Sequence, residues 1–281
     1  MKIINKAKLN AFRDNLLKLG TDQLFIVSDF DSTLISPYAN GKYIPSLMGL
    51  LREKNLLPDA WKQKSTEMYN YYTKEAEIDG NLTYDKRVEL MEEWWSKAYD
   101  LLKESGFKYE HILNVAKDQR LKYREGVEDF MKWCQSTAIP FIIMSATGLG
   151  SDCIAEFLRV RGDLYENVEI ISNNLTWDKS GDFIGAEKPY VHSLNKYGQL
   201  IRDNLVYGQV KARKMALLFG DDIGDAQMLS GFDIKTLKVY ISSKDDDITR
   251  NINKNFDIIL EKDDSFNKIL ELLEIINENQ R

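Results

Sequence analysis

Three short polar clusters carry the residue types that phosphate chemistry needs. The first, Asp29-Phe30-Asp31-Ser32-Thr33, directly follows the apolar run Leu24-Phe25-Ile26-Val27-Ser28. Two carboxylates two residues apart at the end of a buried strand repel each other and lose hydration. They persist where a cation or a shared proton offsets that cost. The second cluster, Gly220-Asp221-Asp222-Ile223-Gly224-Asp225, ends the run Met215 to Phe219 and adds further carboxylates. Hard oxygen donors of this kind suit Mg²⁺. The third, Ser145-Ala146-Thr147-Gly148, follows Phe141-Ile142-Ile143-Met144 and offers a hydroxyl and backbone N–H groups at a helix start, an anion site. Taken singly, each cluster serves equally well as an Asx-turn or a helix cap. Lys196, in Asn195-Lys196-Tyr197-Gly198, could add a fixed positive charge, although a lone lysine ordinarily sits in solvent and pattern alone does not select it. Carboxylates, a hydroxyl with N–H donors and a cation together are the parts of a phosphoryl-transfer site, where catalysis is mostly positioning and charge neutralisation.

The elements that must position these clusters read as an alternating α/β pattern. Leu9, Phe12, Leu16 and Leu17 make one helical face, ended by Gly20. Val127, Phe130, Met131 and Cys134 make another, before the strand after Pro140. Strands are expected at Leu24 to Ser28, Phe141 to Met144, Val168 to Ser172, Met215 to Phe219, Lys238 to Ile241 and Asp257 to Leu260. A hairpin turn is expected at Asp178-Lys179-Ser180-Gly181 and a closing helix over Phe266 to Ile276. Strands separated by helices imply a mainly parallel sheet covered on both faces, and ligands then bind beyond the carboxyl ends of its strands. All three clusters occupy that position.

From about Ser46 to Lys122 the pattern is helical, with no buried strand. Asp59 to Glu77 carries Trp61, Tyr69, Tyr71 and Tyr72. Thr83 caps a segment that sets Val88, Met91, Trp95, Ala98 and Leu102 at steps of three and four, and a third segment covers Tyr109 to Arg120. The expected organisation is a core of residues 1–43 and 121–281, with residues 44–120 inserted as a helical bundle.

A net charge of -6 argues against nucleic-acid or membrane surfaces as partners, since both are anionic. It leaves room for an anionic small molecule in a locally cationic pocket. Cys134 and Cys153 are the only cysteines and read as reduced core thiols; His111 and His192 lack a partner at zinc-ligand spacing. The N-terminal segment is amphipathic rather than continuously apolar, so a cytoplasmic, monomeric protein is expected.

The four motifs resemble those of the haloacid dehalogenase (HAD) superfamily of phosphohydrolases: DFDST, SAT, Lys196 and GDDIGD. Further segments are similar to the cytosolic pyrimidine 5′-nucleotidase family, among them YYTKEAEIDGNLT, LMEEWWSKAYDLL, ISNN, HSLNKYG and LLFGDDIGDAQM. The resemblance implies a Rossmann-like HAD core with a helical cap. It implies an Asp29 nucleophile that also binds Mg²⁺, and an Asp31 that protonates the leaving oxygen, activates water and binds the metal through its carbonyl. Asp221 would be the third ligand, with Thr33, Asp222 and Asp225 beside it and Asp225 orienting the ligands or holding Lys196. Ser145, the Ala146 N–H and Lys196 would bind phosphate. In the cap, Glu77 would read the base, with Trp94 and Tyr99 offering stacking surfaces and Trp95 assigned to the core. The family often has Ser-His where this chain has Ala98-Tyr99, and Ser at Asp222. The implied activity is release of the 5′-phosphate of a nucleoside monophosphate, CMP or UMP favoured. Phosphoserine, 7-methyl-GMP and transfer to a nucleoside acceptor stay open.

Overall fold

The computed structural model describes residues 1–78, 81–243 and 250–278. β1 (Lys2–Ile3) and α1 (Lys6–Leu19) lead into β2 (Leu24–Ser28). A hairpin of β3 (Tyr38–Ala39) and β4 (Lys42–Tyr43) precedes α2 (Leu47–Glu53), α3 (Asp59–Tyr72), a π-helical turn (Thr73–Ile78), α4 (Tyr84–Glu104) and α5 (Tyr109–Ala116). There follow α6 (Val127–Ser136), β5 (Phe141–Met144), α7 (Gly150–Arg161), β6 (Val168–Ile171), β7 (Leu175–Trp177) and β8 (Phe183–Ala186). The chain continues through α8 (Gly198–Arg202), α9 (Tyr207–Val210), β9 (Met215–Gly220), a 3₁₀ turn (Ile223–Gln227), β10 (Lys235–Ile241), α10 (Arg250–Asn255), β11 (Ile258–Leu260) and α11 (Asn267–Glu278).

The main sheet has the order β1-β11-β10-β9-β2-β5-β6, parallel except for β1. Every residue of β2, β5 and β9 is buried, which is why these strands lack a polar face. The two-residue period divides them between two cores. Ile26, Phe141, Ile143, Leu217 and Phe219 pack with residues of α1, α6, α7 and α11 on one face, while Phe25, Val27, Ile142, Met144, Ala216 and Leu218 pack with Ile201, Val206, Val210 and Phe256 on the other. The register sets Ile26 opposite both Leu217 and Phe141, so the central strands end at nearly the same level.

The expected strands are present, with β10 beginning earlier, at Lys235, and β11 one residue later, at Ile258. Asp178–Gly181 does turn the chain between β7 and β8. The helix expected through Glu77 gives way to the π turn at Thr73, and α5 stops at Ala116, four residues short of Arg120. The helices between β4 and α6 share the large core with the sheet through Leu47, Leu50, Leu51, Trp61 and Trp95, and α5 packs on α7 as well as on α2. A smaller cluster of Tyr72, Ala76, Met91 and Trp94 joins α3, the π turn and α4.

Candidate active site

Beyond the carboxyl ends of β2, β5 and β9 the three polar clusters converge. The Asp29 N–H continues the pairing of β2 with β9 by donating to the Phe219 carbonyl at 3.0 Å, which delivers Asp29 beside the end of β9. Ser32 takes a left-handed backbone (φ 61°), turning the chain back on itself. The buried Arg124 guanidinium fastens that turn, donating to the carbonyls of Ser32, Ser242 and Lys262.

Lys196 is buried and links two loops: its Nζ donates to Asp29 Oδ1 at 2.5 Å and to Asp225 Oδ1 at 2.6 Å. Burial acts to lower its pKa, but Asp225 and Asp29 together raise it above the ordinary lysine value, so it is cationic. Asp225 Oδ2 accepts from the N–H groups of Asp221 and Asp222, both at 3.1 Å. The Thr33 hydroxyl donates to Asp221 Oδ1 at 3.1 Å, and Asp222 caps its own turn through Gly224 N–H at 2.7 Å. Burial pushes the Asp29 carboxyl up to about 6, against the pull of Lys196. Burial and then the charge of Asp29 push Asp31 up to about 7, although the Leu47 N–H at the start of α2 faces its carboxylate. Asp221 is shifted upward as well, by burial and by Asp29.

Asp29, Asp221 and Asp225 each offer a carboxylate oxygen within 4.8 Å of the others. An all-oxygen, acidic donor set beside like-charge neighbours fits a hard divalent cation. The grouping joins the Asp225 carboxylate to the expected Asp29 and Asp221; Asp31 was expected to contribute its backbone carbonyl, not its carboxylate. Asp225 reaches into it because backbone N–H groups under β9 hold its other oxygen.

On the β5 side, Ser145 N–H donates to Ile171 O at 3.0 Å and Ser145 Oγ accepts from Thr147 N–H at 3.2 Å. The buried Asn173 carboxamide ties this loop to the next one, donating to Thr147 O and Val191 O and accepting from Val191 N–H. From Val191 the chain runs through His192 to Lys196. Gly148 allows a close approach: a Cβ there would stand 2.5 Å from Trp95 Cζ3 and 2.7 Å from Met48 Cε.

A cavity of about 210 Å³ connects these loops to the helices above them. Asp29, Asp31, Ser145, Ala146 and Thr147 line one side; Arg52, Tyr69, Trp94 and Trp95 line the other. The aromatic side is a continuous stack along α4. Tyr72 and Trp94 lie 5.7 Å apart at 8°, Trp94 and Trp95 5.6 Å apart at 5°, and Trp95 and Tyr99 5.7 Å apart at 22°.

Two residues expected at a base pocket do not line this cavity. Glu77 accepts from the Ser193 hydroxyl at 2.7 Å, and the Ala76 and Glu77 carbonyls are held by Arg87, so the π turn clamps the segment that carries Lys196. Tyr99 is buried against Tyr190 and Phe183. Trp95, assigned to the core from its helical spacing, does both jobs: it packs in the core and faces the cavity beside Trp94. Arg52, Arg124 and Asn173 were not singled out in sequence. Asn173 lies within ISNN and Arg124 opens REGVEDF, a segment that also resembles the family, while nothing local marks Arg52 apart from the buried run Leu47 to Leu51 before it.

Comparison with known proteins agrees with this geometry. The family model described as pyrimidine 5′-nucleotidase (UMPH-1) matches residues 32–277. The 7-methylguanosine phosphate-specific 5′-nucleotidase A of Xenopus laevis is 28% identical over 260 residues, covering 92% of this chain and 89% of that protein. The Homo sapiens 7-methylguanosine phosphate-specific 5′-nucleotidase is 29% identical over 264 residues, covering 93% and 87%. Among solved structures, cytosolic 5′-nucleotidase IIIB bound to cytidine superposes with a TM-score of 0.86 at 28% identity, over 99% of this chain and 94% of that one. A substrate-bound phosphoserine phosphatase, at TM-score 0.52 and 18% identity over 88% of this chain and 96% of that one, shares the fold alone. The chain therefore belongs to the pyrimidine 5′-nucleotidase (UMPH-1) family.

Proposed function

We propose that this protein hydrolyses nucleoside 5′-monophosphates in the cytoplasm, pyrimidine nucleotides such as CMP and UMP foremost, through a phospho-aspartate on Asp29. The observation that carries the reading is one cavity with the Asp29 and Asp31 carboxyls on its floor and two parallel indoles on its opposite wall. The floor suits an ester phosphate and the wall a flat heterocycle. The family description and the cytidine in the neighbouring structure support the same class of ligand.

In the reaction, an Asp29 carboxylate oxygen bonds to phosphorus as the bond to the nucleoside O5′ breaks, and Asp31, held protonated by burial, gives its proton to O5′. Asp31, now a carboxylate, takes a proton from a water that attacks phosphorus and frees Asp29. Lys196, the Ser145 hydroxyl and the Ala146 N–H hold the phosphoryl oxygens. Asp29 and Asp221, with the Asp31 carbonyl and Asp225 beside them, would hold Mg²⁺, which supplies charge neutralisation at the phosphoryl group. The helices from α2 to α4 form the cap that keeps water from the phosphoenzyme. A second reading, 7-methyl-GMP as the preferred substrate, is favoured by the names of the relatives and by the affinity of indole faces for a cationic ring.

Steady-state kcat/KM for CMP, UMP, AMP, 7-methyl-GMP and phosphoserine, with Mg²⁺ and after chelation, tests the proposal. CMP and UMP are expected to lead, with activity lost on chelation. Phosphoserine ahead of every nucleotide would sink the substrate assignment.

A further inference from the structure

The loop that carries Lys196 is held by the helices as well as by the strands. α4 begins at Tyr84, whose hydroxyl lies 2.6 Å from the Leu194 carbonyl oxygen and 2.6 Å from the Tyr197 hydroxyl. A carbonyl can only accept, so the single Tyr84 proton goes to Leu194 and Tyr197 donates to Tyr84. The Ser193 hydroxyl donates to Glu77 at 2.7 Å, and Leu194 packs on the cluster of Tyr72, Ala76, Met91 and Trp94. Residues on both sides of Lys196 therefore touch α4 or the π turn.

The loop's own hydrogen bonds pass these contacts on to the lysine. His192 N–H donates to Asn195 Oδ1 at 2.8 Å, Asn195 Nδ2 to Tyr190 O at 2.7 Å, and Tyr197 N–H to Asn195 O at 2.8 Å. At Lys196 itself, two of the three ammonium hydrogens go to Asp29 and Asp225, which leaves one for a phosphoryl oxygen. One of those two anchors changes during the reaction. Once an Asp29 oxygen bonds to phosphorus, the carboxylate charge is lost and its pull on Lys196 weakens while the phosphoenzyme awaits water. A lysine on a flexible four-carbon stem then depends on Asp225 and on its backbone for its position.

Resting on the phospho-aspartate reading above, we infer that Tyr84 and Tyr197 are positioning residues for Lys196. Their hydroxyl pair ties the first turn of α4 to the backbone on either side of the lysine, and so keeps its ammonium on the phosphoryl group after Asp29 has reacted. Neither side chain lines the cavity, so the effect runs through Lys196 and not through contact with substrate. The pair forms only where α4 is seated over the strand ends, which makes stabilisation of the phosphoryl group depend on that seating.

The test uses the full chain with Mg²⁺ and two substrates, CMP and p-nitrophenyl phosphate, which share the phosphate but not the base or the sugar. Tyr84→Phe is expected to lower kcat about tenfold for both, with each KM within about threefold of wild type. Tyr197→Phe keeps the bond from Tyr84 to Leu194 and is expected to lower kcat for both by about threefold; it is read in place of Tyr84→Phe if circular dichroism shows that variant unfolded. In a Lys196→Met background, the effect of Tyr84→Phe shrinks to within about twofold, because no ammonium is left to position. If Lys196→Met has no measurable turnover, the kcat loss shared by both substrates at unchanged KM decides. An unchanged kcat in the folded variants, a loss confined to KM for CMP, or an equal loss with and without the Lys196 ammonium overturns the positioning role and leaves the nucleotidase reading intact. A wild type that cleaves p-nitrophenyl phosphate but no nucleotide overturns that reading, and the positioning role is then decided on p-nitrophenyl phosphate alone.

Discussion

The two walls of the cavity treat buried polar groups in opposite ways. On the strand side, charges answer one another: Lys196 bridges Asp29 and Asp225, Asp225 receives two backbone N–H groups, and Thr33 holds Asp221. On the helical side, the buried Trp95 Nε1 and Tyr99 hydroxyl have no partner among the described residues. A buried polar group without a partner costs about 1–3 kcal/mol. The strand wall therefore has its geometry set at folding, as preorganised catalysis requires. The helical wall leaves donors to be satisfied by what binds. Chemistry and recognition are separated by this difference, and each can be perturbed alone.

The strand wall predicts the largest effect. Asp29→Asn is expected to lower turnover of every phosphate ester by roughly 10⁴-fold or more, with an unchanged circular dichroism spectrum. Phosphate release within tenfold of wild type would remove Asp29 as nucleophile and collapse the distinction between the walls.

His192 is the exception within the strand wall, and it sharpens the comparison through stability. It is fully buried, its Nδ1 accepts from Leu194 N–H at 3.2 Å, and its Nε2 has no hydrogen-bond partner among the described residues, with Glu92 Oε1 3.7 Å away. Burial lowers its pKa from 6.5 to about 4. Above pH 6.5 both folded and unfolded chains carry it neutral, and its contribution is complete. Between 6.5 and 4 the unfolded chain takes up the proton first, so stability falls as pH falls, by at most about 1.4 kcal/mol per unit. Below about pH 4 this residue adds no further loss. Urea unfolding across that range should show the decline, and His192→Gln should flatten it; parallel profiles would mean that His192 titrates alike in both states.

The seam between the walls carries the smallest effect. Gly148→Ala places a Cβ against Trp95 and Met48, which forces the walls apart. The expected outcome is about 1–3 kcal/mol of lost stability and a roughly tenfold rise in KM for nucleotides. An unaltered urea midpoint and KM would show that the helices yield at no cost.

How much of this was legible in sequence follows from the same physics. A strand covered on both faces has to be apolar throughout, so β2, β5 and β9 stand out, and the first polar residues after each mark the sheet edge where ligands gather. That made Asp29, Asp31, Ser145 and Asp221 visible. The helical wall was harder. Periodicity ranks faces of α4 relative to one another but does not say which neighbour covers each. Tyr99, one turn beyond Trp95, is closed off by Tyr190 and Phe183, which lie far away in sequence. The π turn sets Glu77 against Ser193, and local propensity does not reveal such a change of phase.

Sequence by itself determined the order of strands and helices and the loops that hold the acidic groups, because burial and backbone pairing act through local pattern. Residue pattern alone did not mark Lys196, which the family resemblance supplied, and only tertiary structure decided how the cations are placed. In local pattern a lysine, a surface arginine and a pocket arginine look alike, and long-range packing brings Lys196 between Asp29 and Asp225 and sets Arg52 at the cavity wall.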